Sequence, residues 1–264
     1  MGLHGQPNGT RIRLVRPPTT RTAMLTRRSD VAYEVDEPDA YYRNKMDFFA
    51  RWAEPGRVLD FGCGEGHYSR SLAARGFDVV GADVDDARLA VARQRADEAG
   101  LGADCEFVKV EATTSRLPFD DSYFDAIFAS EVIEHVPDPL GWVRELKRIL
   151  RPNGTLYVTT PNSVSYRHIG KNLLWNLRGG HLGRAKVIES WPRFAPGKEG
   201  HIVAYEFETL YRWANLNGFS LVAVDFAEIH PVWRKVTAVL RPLRPLRTGL
   251  ALMLRHDEPD LLYS

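Results

Sequence analysis

The chain has 264 residues, of which 44% are hydrophobic, so it is long enough for one globular domain with some additions. Its 35 basic and 34 acidic residues give a formal net charge of +1, which argues against a nucleic-acid partner. The sequence has no apolar run near the roughly 18 residues that a membrane-spanning helix needs, and no apolar signal-peptide core. We therefore expect a cytoplasmic protein whose two cysteines, Cys63 and Cys105, are free thiols.

Basic residues are concentrated at the two ends of the chain. Residues 1–29 contain six arginines and no acidic residue, and residues 229–256 contain six basic residues and no acidic one. We predict a disordered basic tail over 1–30 and a single domain over 31–264. A solvated basic face is the simpler interpretation of these ends, and peripheral contact with an anionic membrane is the alternative.

The predicted elements begin with a helix that ends before the turn residues Glu54, Pro55 and Gly56. Five strands follow, with helices between them, near 57–61, 78–83, 105–110, 123–129 and 154–160. Strands that alternate with helices at this spacing predict a parallel sheet with right-handed crossovers. Two segments, about 163–200 and 228–248, are insertions in this pattern, and the aromatic residues of the first favour a lid.

The most informative motif runs from Val58 to Gly66, where three glycines follow a short apolar strand and an acidic residue. Glycines in such a strand-to-helix turn allow a sharp bend and let a ligand approach the backbone. The next strand ends in Asp83, whose carboxylate can accept hydrogen bonds from a ribose diol, and Val84 could pack on an adenine face. These features predict a nucleotide-type pocket at the carboxyl edge of the sheet.

These motifs resemble those of the class I S-adenosylmethionine-dependent methyltransferases, from about Arg57 to Asn162. The resemblance includes the glycine run and Asp83, together with Leu117–Phe119, Phe124–Ala129, Glu131–Val136 and Leu150–Val158. It implies an α/β fold with a Rossmann-like, doubly wound, seven-stranded sheet that is mostly parallel and has helices on both faces. It also implies an antiparallel last strand in a final pair near Leu221–Phe226 and Leu250–Leu254.

S-adenosylmethionine is the cofactor that the resemblance implies. The matching cofactor-binding positions are Asp60, Gly62, Cys63, Gly64, Gly66, Asp83, Val84, Glu111, Ala112 and Ser130. In the family, the positions of Gly62 to Gly64 line the methionine part, and the position of Asp83 holds the ribose. Glu111 and Ala112 fall where the family contacts adenine. The leading helix would cover the cofactor, where Tyr42 or Lys45 could reach its carboxylate.

Candidate catalytic residues follow the fourth strand. Glu131, Glu134 and His135 have a spacing that predicts one helical turn with all three side chains aimed the same way. With His201, this run resembles the divalent-metal site of the small-RNA 2′-O-methyltransferases, and the ubiquinone-pathway O-methyltransferases carry a similar run. Two carboxylates and two imidazoles suit Mg²⁺ or Mn²⁺, which would lower the pKa of a bound hydroxyl. Two alternatives stay open: His135 as a lone general base, or no catalytic role for these residues.

The leading functional hypothesis is O-methylation of a small hydroxylated molecule, such as a catechol, a quinone precursor, a sugar or a secondary metabolite. Methylation of a terminal RNA ribose is the second hypothesis, against which stand the near-neutral charge and the lack of a recognisable RNA-binding domain. Transfer to nitrogen or carbon stays open, because the sheet is common to all acceptor types. A cofactor-binding protein without catalysis is the alternative from a different functional class.

Overall fold

The computed structural model describes residues 40–111, 116–166, 169, 205–227, 245, 247 and 249–257. Its helices are α1 (Ala40–Trp52), α2 (His67–Ala74), α3 (Asp86–Glu98), α4 (Pro139–Ile149) and α5 (Phe207–Leu216), and a 3₁₀ turn spans Ile133–His135. Its strands are β1 (Arg57–Phe61), β2 (Asp78–Asp83), β3 (Cys105–Lys109), β4 (Phe124–Ser130), β5 (Leu150–Pro161), β6 (Phe219–Ala227) and β7 (Gly249–His256). The predicted tail over 1–30 and most of the two predicted insertions, including the lid, lie outside the described residues.

The strands form a seven-stranded sheet in the order β3-β2-β1-β4-β5-β7-β6. Strands β1 to β5 pair in parallel, whereas β7 runs antiparallel to both of its neighbours, β5 and β6. The predicted doubly wound, mostly parallel sheet with an antiparallel last strand is therefore confirmed. Among the described residues, no helix combines the length and the apolar character needed to cross a bilayer.

The sheet is covered on both faces by apolar side chains. On one face, α1 contributes Met46 and Phe49, which are fully buried with Phe128 of β4 and Tyr157 of β5. On the other face, Leu156 and Val158 of β5 pack in a second cluster with Leu146 of α4 and Leu210 of α5. Successive residues of a strand point to opposite faces, so β5 serves both layers at once. Because β5 is covered on both faces, its middle residues are buried whichever face they point to.

Acidic residues start the helices that follow β2 and β4. The Asp85 carboxylate accepts from the N–H groups of Ala87 (2.8 Å) and Arg88 (3.2 Å) at the start of α3. The Asp138 carboxylate accepts from Gly141 N (3.0 Å) at the start of α4. Side-chain caps of this kind satisfy N–H groups that the helix itself leaves without partners, and they set where each helix leaves the sheet.

The strand order places a crevice at the carboxyl edge of the sheet between β1 and β4. The chain moves from β1 outward to β2 and β3, and then returns to the other side of β1 to form β4 and β5. The connections after β1 and β4 therefore diverge, and ligands of open α/β sheets bind at such a point. Both motifs singled out in the sequence lie at this edge.

Candidate active site

The turn between β1 and α2 holds three glycines in left-handed backbone conformations. Gly62, Gly64 and Gly66 have φ angles of +77°, +52° and +73°, which side chains with a Cβ rarely adopt. The turn is tied to β2, because the N–H groups of Gly62 and Cys63 donate to Ala82 O over 2.8 and 3.1 Å. A Cβ atom added at Gly64 would meet nothing within 4 Å, so a ligand can approach the backbone there.

Asp83, at the end of β2, is hydrogen-bonded to the glycine turn. Its Oδ2 accepts from Gly64 N over 2.8 Å, and its Oδ1 accepts from Asp85 N over 3.0 Å. Each oxygen of a carboxylate can accept a second hydrogen bond, so Asp83 can still receive two hydroxyl donors. The next residue, Val84, leaves 51% of its surface exposed and offers an apolar contact beside this carboxylate. A diol and a flat apolar group can bind side by side at this point.

The glycine turn packs directly on the segment that follows β4. A Cβ atom added at Gly62 would lie only 2.7 Å from Val132 Cγ2, so the Val132 side chain would have to shift to accommodate any residue other than glycine. Val132 lies between Glu131 and the 3₁₀ turn that contains Glu134 and His135. The two motifs found in the sequence therefore meet across the crevice between β1 and β4.

A polar cluster occupies the carboxyl ends of β4 and β5, centred on the buried amine of Lys45. Lys45 Nζ donates to Ser130 Oγ (2.9 Å), Glu131 Oε1 (3.2 Å) and Thr159 Oγ1 (3.4 Å). The Thr159 hydroxyl in turn donates to Glu131 Oε1 over 2.8 Å and lies 3.0 Å from Ser130 Oγ. The side chain of Lys45 is 5% exposed and that of Glu131 is 35% exposed, so the carboxylate forms the open side of the cluster.

The predicted helical turn carrying Glu131, Glu134 and His135 is wrong. Glu131 precedes the 3₁₀ turn, has a φ angle of +57° and still donates its N–H to Thr159 O of the sheet (3.1 Å). Glu134 lies within the turn and is 1% exposed, whereas His135 is half-buried. The spacing i, i+3, i+4 brings side chains together only on a regular helix, and these three residues do not form one.

Glu134 is buried, and Thr160 of β5 and Tyr205 lie near it. Neither of its carboxylate oxygens has a hydrogen-bond partner among the described residues, and the nearby Thr160 hydroxyl does not meet hydrogen-bond geometry. Burial raises the pKa of Glu134 to about 7, and the negative charge of Glu131 adds to this effect. Burial also raises the pKa of Tyr205, and the Glu134 charge raises it further. Thr159 and Thr160 are neighbours in β5, so the Lys45–Glu131 pair and Glu134 lie on opposite faces of that strand.

Comparison with known proteins identifies the family. The model of the family described as "Methyltransferase domain" matches residues 33–224. This chain belongs to that family. The ubiquinone biosynthesis O-methyltransferase of Pseudomonas aeruginosa (strain UCBPP-PA14) is 32% identical to it over 172 residues, which make up 60% of this chain and 73% of that protein. The chain is therefore a methyltransferase enzyme that depends on S-adenosylmethionine.

Solved structures share the fold of this methyltransferase. A SAM-dependent methyltransferase from Methanosarcina mazei has a TM-score of 0.55 and 22% identity, with coverage of 80% of this chain and 97% of that chain. The [4+2]-cyclase SpnF has a TM-score of 0.57 and 19% identity, with coverage of 86% of both chains. At such identities the likeness concerns the fold alone, and a cyclase among the neighbours shows that this fold accommodates other reactions.

Two further residues of the glycine turn in this methyltransferase are buried. Asp60 is 1% exposed, and its Oδ2 accepts from Ser69 Oγ over 2.6 Å, which ties β1 to α2. Burial raises the pKa of Asp60 to about 7. Burial also raises the pKa of the Cys63 thiol above its usual range, and raises that of Cys105 to about 12. Both cysteines are free thiols, as predicted, and neither has the thiolate character of a nucleophile.

Some predicted site residues fall outside the described part of the methyltransferase. Ala112 and His201 are not described, and Glu111 is exposed. Within the described ranges, no group of three His, Cys, Asp or Glu side chains is placed to hold a metal ion. The four-residue metal site thus stays a prediction, and the three of its members that the structure describes do not form a metal-binding group by themselves.

Sequence reasoning missed part of the site. Thr159, Thr160 and Tyr205 carry no motif, and they join the site because β5 pairs with β4 and because Tyr205 forms a bridge with Asn162, just after β5. The sequence predicted that Tyr42 or Lys45 could reach the cofactor's carboxylate, which stays a prediction, but it did not predict that Lys45 binds Glu131, 86 positions further along the chain. The sequence signal that could have indicated this part of the site is a set of hydroxyl-bearing residues near the end of β5, and it is weak.

Proposed function

We propose that this methyltransferase transfers a methyl group to a hydroxyl of a small molecule. The observation that carries the proposal is the polar cluster of Lys45, Ser130, Glu131 and Thr159, packed beside the glycine turn through Val132. Carboxylate and hydroxyl groups at this point can bind and orient a hydroxyl donor. The names of the relatives at 32% identity, ubiquinone biosynthesis O-methyltransferases, support the same acceptor chemistry.

The residues at the carboxyl ends of β1 and β2 fit S-adenosylmethionine. Open space at Gly64 admits a ligand to the backbone, Asp83 has lone pairs left for a ribose diol, and Val84 offers an apolar surface for a base. Asp60 stabilises the turn through the hydrogen bond that it accepts from Ser69. The remaining proposed contacts come from Gly62, Cys63, Gly66, Glu111, Ala112 and Ser130. When bound, the cofactor supplies an electrophilic methyl group on a positively charged sulfur.

The acceptor hydroxyl must lose its proton as its oxygen is methylated. We assign this proton to the half-buried imidazole of His135, because histidine is the side chain that most often serves as a general base. Glu131 Oε2 has no hydrogen-bond partner among the described residues, so it can accept a hydrogen bond from the hydroxyl and hold it in place. Orientation of this kind contributes strongly to displacement reactions, because a small misplacement of the reacting atoms reduces the rate steeply.

The first experiment measures transfer of label from S-adenosylmethionine to catechol and to a fractionated small-molecule extract. We expect labelled methyl ethers, a loss of activity in His135→Ala, and retention of activity in Lys109→Met, whose lysine pairs with Asp86 on the surface. Label in nitrogen- or carbon-methylated products, or in RNA ends that become resistant to periodate, would contradict the proposal. Binding of the cofactor without transfer to any fraction would favour the non-catalytic alternative.

Metal assistance through Glu131, Glu134, His135 and His201 remains a prediction from the sequence. The same assay decides it when run with EDTA and with added Mg²⁺ or Mn²⁺: label that appears only with metal would support it, and label that is insensitive to EDTA would exclude it. Cytoplasmic location and membrane contact through the basic ends also remain predictions. Cell fractionation tests the first, and sedimentation with anionic vesicles tests the second.

A further inference from the structure

We propose that Lys45 supplies the cation of the acceptor site in place of a divalent metal, and that it positions Glu131 toward the acceptor hydroxyl. This inference rests on the proposed O-methylation. It assigns a positioning role to a residue on α1 that belongs to neither motif of the site.

The first support is the burial of the Lys45 amine. A lysine that is 5% exposed needs acceptors for its charged N–H groups, since an ammonium without them is strongly destabilising. The three N–H groups of Lys45 find a carboxylate and two hydroxyls, contributed by Ser130 and Glu131 at the end of β4 and by Thr159 of β5. Helix α1 therefore inserts a fixed positive charge between the carboxyl ends of these two strands.

The second support is the unusual conformation of Glu131. A φ angle of +57° is unfavourable for a residue with a Cβ, by about 1 kcal/mol or more, so the surroundings must hold it. The backbone N–H of Glu131 donates to Thr159 O, and its Oε1 accepts from both Lys45 and Thr159. Both ends of the residue are thereby fixed, and such strain in a fully determined position is typical of functional sites.

The third support is that only one of the two oxygens of the Glu131 carboxylate is hydrogen-bonded to other described residues. Oε1 is engaged by Lys45 Nζ at 3.2 Å and by Thr159 Oγ1 at 2.8 Å. Oε2 has no partner among the described residues and belongs to a side chain that is 35% exposed, on the open side of the cluster. A carboxylate anchored through one oxygen presents the other in a defined direction, as an oriented acceptor for a hydroxyl requires.

A divalent ion at this position would compete with Lys45. The ion would need Glu131, whose Oε1 is already neutralised by the ammonium, and it would lie close to that positive charge. The other predicted carboxylate, Glu134, lies on the opposite face of β5, beside Thr160 and Tyr205. The described residues thus provide a built-in cation, and they contain no group of three His, Cys, Asp or Glu side chains placed to hold a metal ion.

The test combines metal binding with methyl transfer in the full chain. Free Mn²⁺ is counted by electron paramagnetic resonance in solutions of the wild type, Lys45→Met, Lys45→Arg and the surface control Lys109→Met, each with S-adenosylmethionine present. We expect no Mn²⁺ binding below millimolar concentrations in the wild type or in the control. In Lys45→Met, the freed Glu131 carboxylate should bind Mn²⁺ more tightly. Micromolar binding of Mn²⁺ by the wild type would overturn the proposal, as would measurable binding of Mn²⁺ with equal affinity in the wild type and Lys45→Met.

The kinetic arm uses catechol as acceptor, with EDTA present throughout. Lys45→Met should lower kcat by about 10- to 100-fold with little change in the KM for S-adenosylmethionine, and Lys45→Arg should restore part of it. An unchanged kcat in Lys45→Met would overturn the positioning role. If catechol and the extract receive no label at all, the proposed O-methylation fails, and the Mn²⁺ measurements still decide whether Lys45 holds the cation position. Circular dichroism of each variant shows that it is folded, as we expect, because Met46 and Phe49 keep α1 anchored.

Discussion

Replacement of Gly64 by alanine separates the cofactor role of the glycine turn from its structural role. Gly64 has a φ angle of +52°, and an added Cβ would meet no atom within 4 Å. The backbone conformation disfavours alanine by about 1–2 kcal/mol, and the lower entropy of the unfolded alanine chain offsets about 0.4–1 kcal/mol of this. We therefore expect a net loss of stability near 1 kcal/mol, or a decrease of about 2–4 °C in Tm for a chain of this size.

The effect of the same substitution on the cofactor should be larger. The proposed binding mode places S-adenosylmethionine against the backbone at Gly64, so the new methyl group would obstruct it. An obstruction of this size weakens binding by about tenfold or more. Isothermal titration calorimetry measures the affinity, and thermal unfolding followed by circular dichroism measures the stability of the same sample.

Two further glycine variants are compared with Gly64→Ala, and Gly218→Ala is the control for cofactor binding. In Gly66→Ala the added Cβ would lie 3.0 Å from both Ala92 Cβ and Phe107 Cζ, so overpacking adds about 1–3 kcal/mol to the backbone penalty. Gly218→Ala imposes a similar backbone penalty, at a φ angle of +75°, at the end of α5. Gly218→Ala should leave the affinity for S-adenosylmethionine unchanged. A folded Gly64→Ala protein that binds S-adenosylmethionine as tightly as the wild type would refute the assignment of the turn to the cofactor.

Three other predictions concern buried ionisable groups. Asp83→Asn should weaken binding of S-adenosylmethionine by about tenfold, since it replaces an ionised acceptor of hydroxyl donors; calorimetry with an unchanged Kd would contradict this. Glu134 has a pKa of about 7 when folded against 4.5 when unfolded, so the native state loses stability as the pH rises through this range, by up to about 3 kcal/mol. Urea unfolding of Glu134→Gln should therefore show a stability that exceeds the wild-type value at pH 8 and lacks this dependence, and parallel curves would count against it. Burial lowers the pKa of His256, whose Nδ1 lies 3.1 Å from Leu150 O and 3.0 Å from Arg151 O. Neutral His256 contributes to the stability of the folded state fully above pH 6.5, and this contribution is lost as the pH falls through the lower pKa of the folded protein. His256→Asn should therefore reduce the loss of stability on acidification. An unchanged dependence of stability on pH below 6.5 would disprove the effect.

The position of the central strands was predictable from local sequence. β1 and β2 occupy the residues predicted for them, because strands covered on both faces form short apolar runs that end abruptly at glycine or an acidic residue. β5 is the exception, since it begins at Leu150 instead of near 154. Pro152, Asn153 and Gly154 favour a turn, and yet they belong to the strand because Leu150 pairs with Phe124 across an irregularity in the β4–β5 ladder.

The placement of the residues proposed to bind the cofactor was also determined largely by sequence. The three glycines and Asp83 lie at the ends of successive strands, and parallel strands bring those ends to one edge whatever the rest of the fold does. Local spacing is enough in this case because each residue is placed by its own strand and by the turn that follows it.

The acceptor side was decided by tertiary structure. Spacing alone grouped Glu131, Glu134 and His135 on one helical turn, but Glu131 N donates to Thr159 O of the sheet, whereas Glu134 lies in the 3₁₀ turn that follows, buried near Thr160 and Tyr205. The partner of Glu131 is Lys45, 86 positions earlier, which no local pattern could identify. A sequence records the period of its own helices and strands, whereas the contacts between distant segments depend on how those elements pack, and the charge balance of this site depends on such contacts.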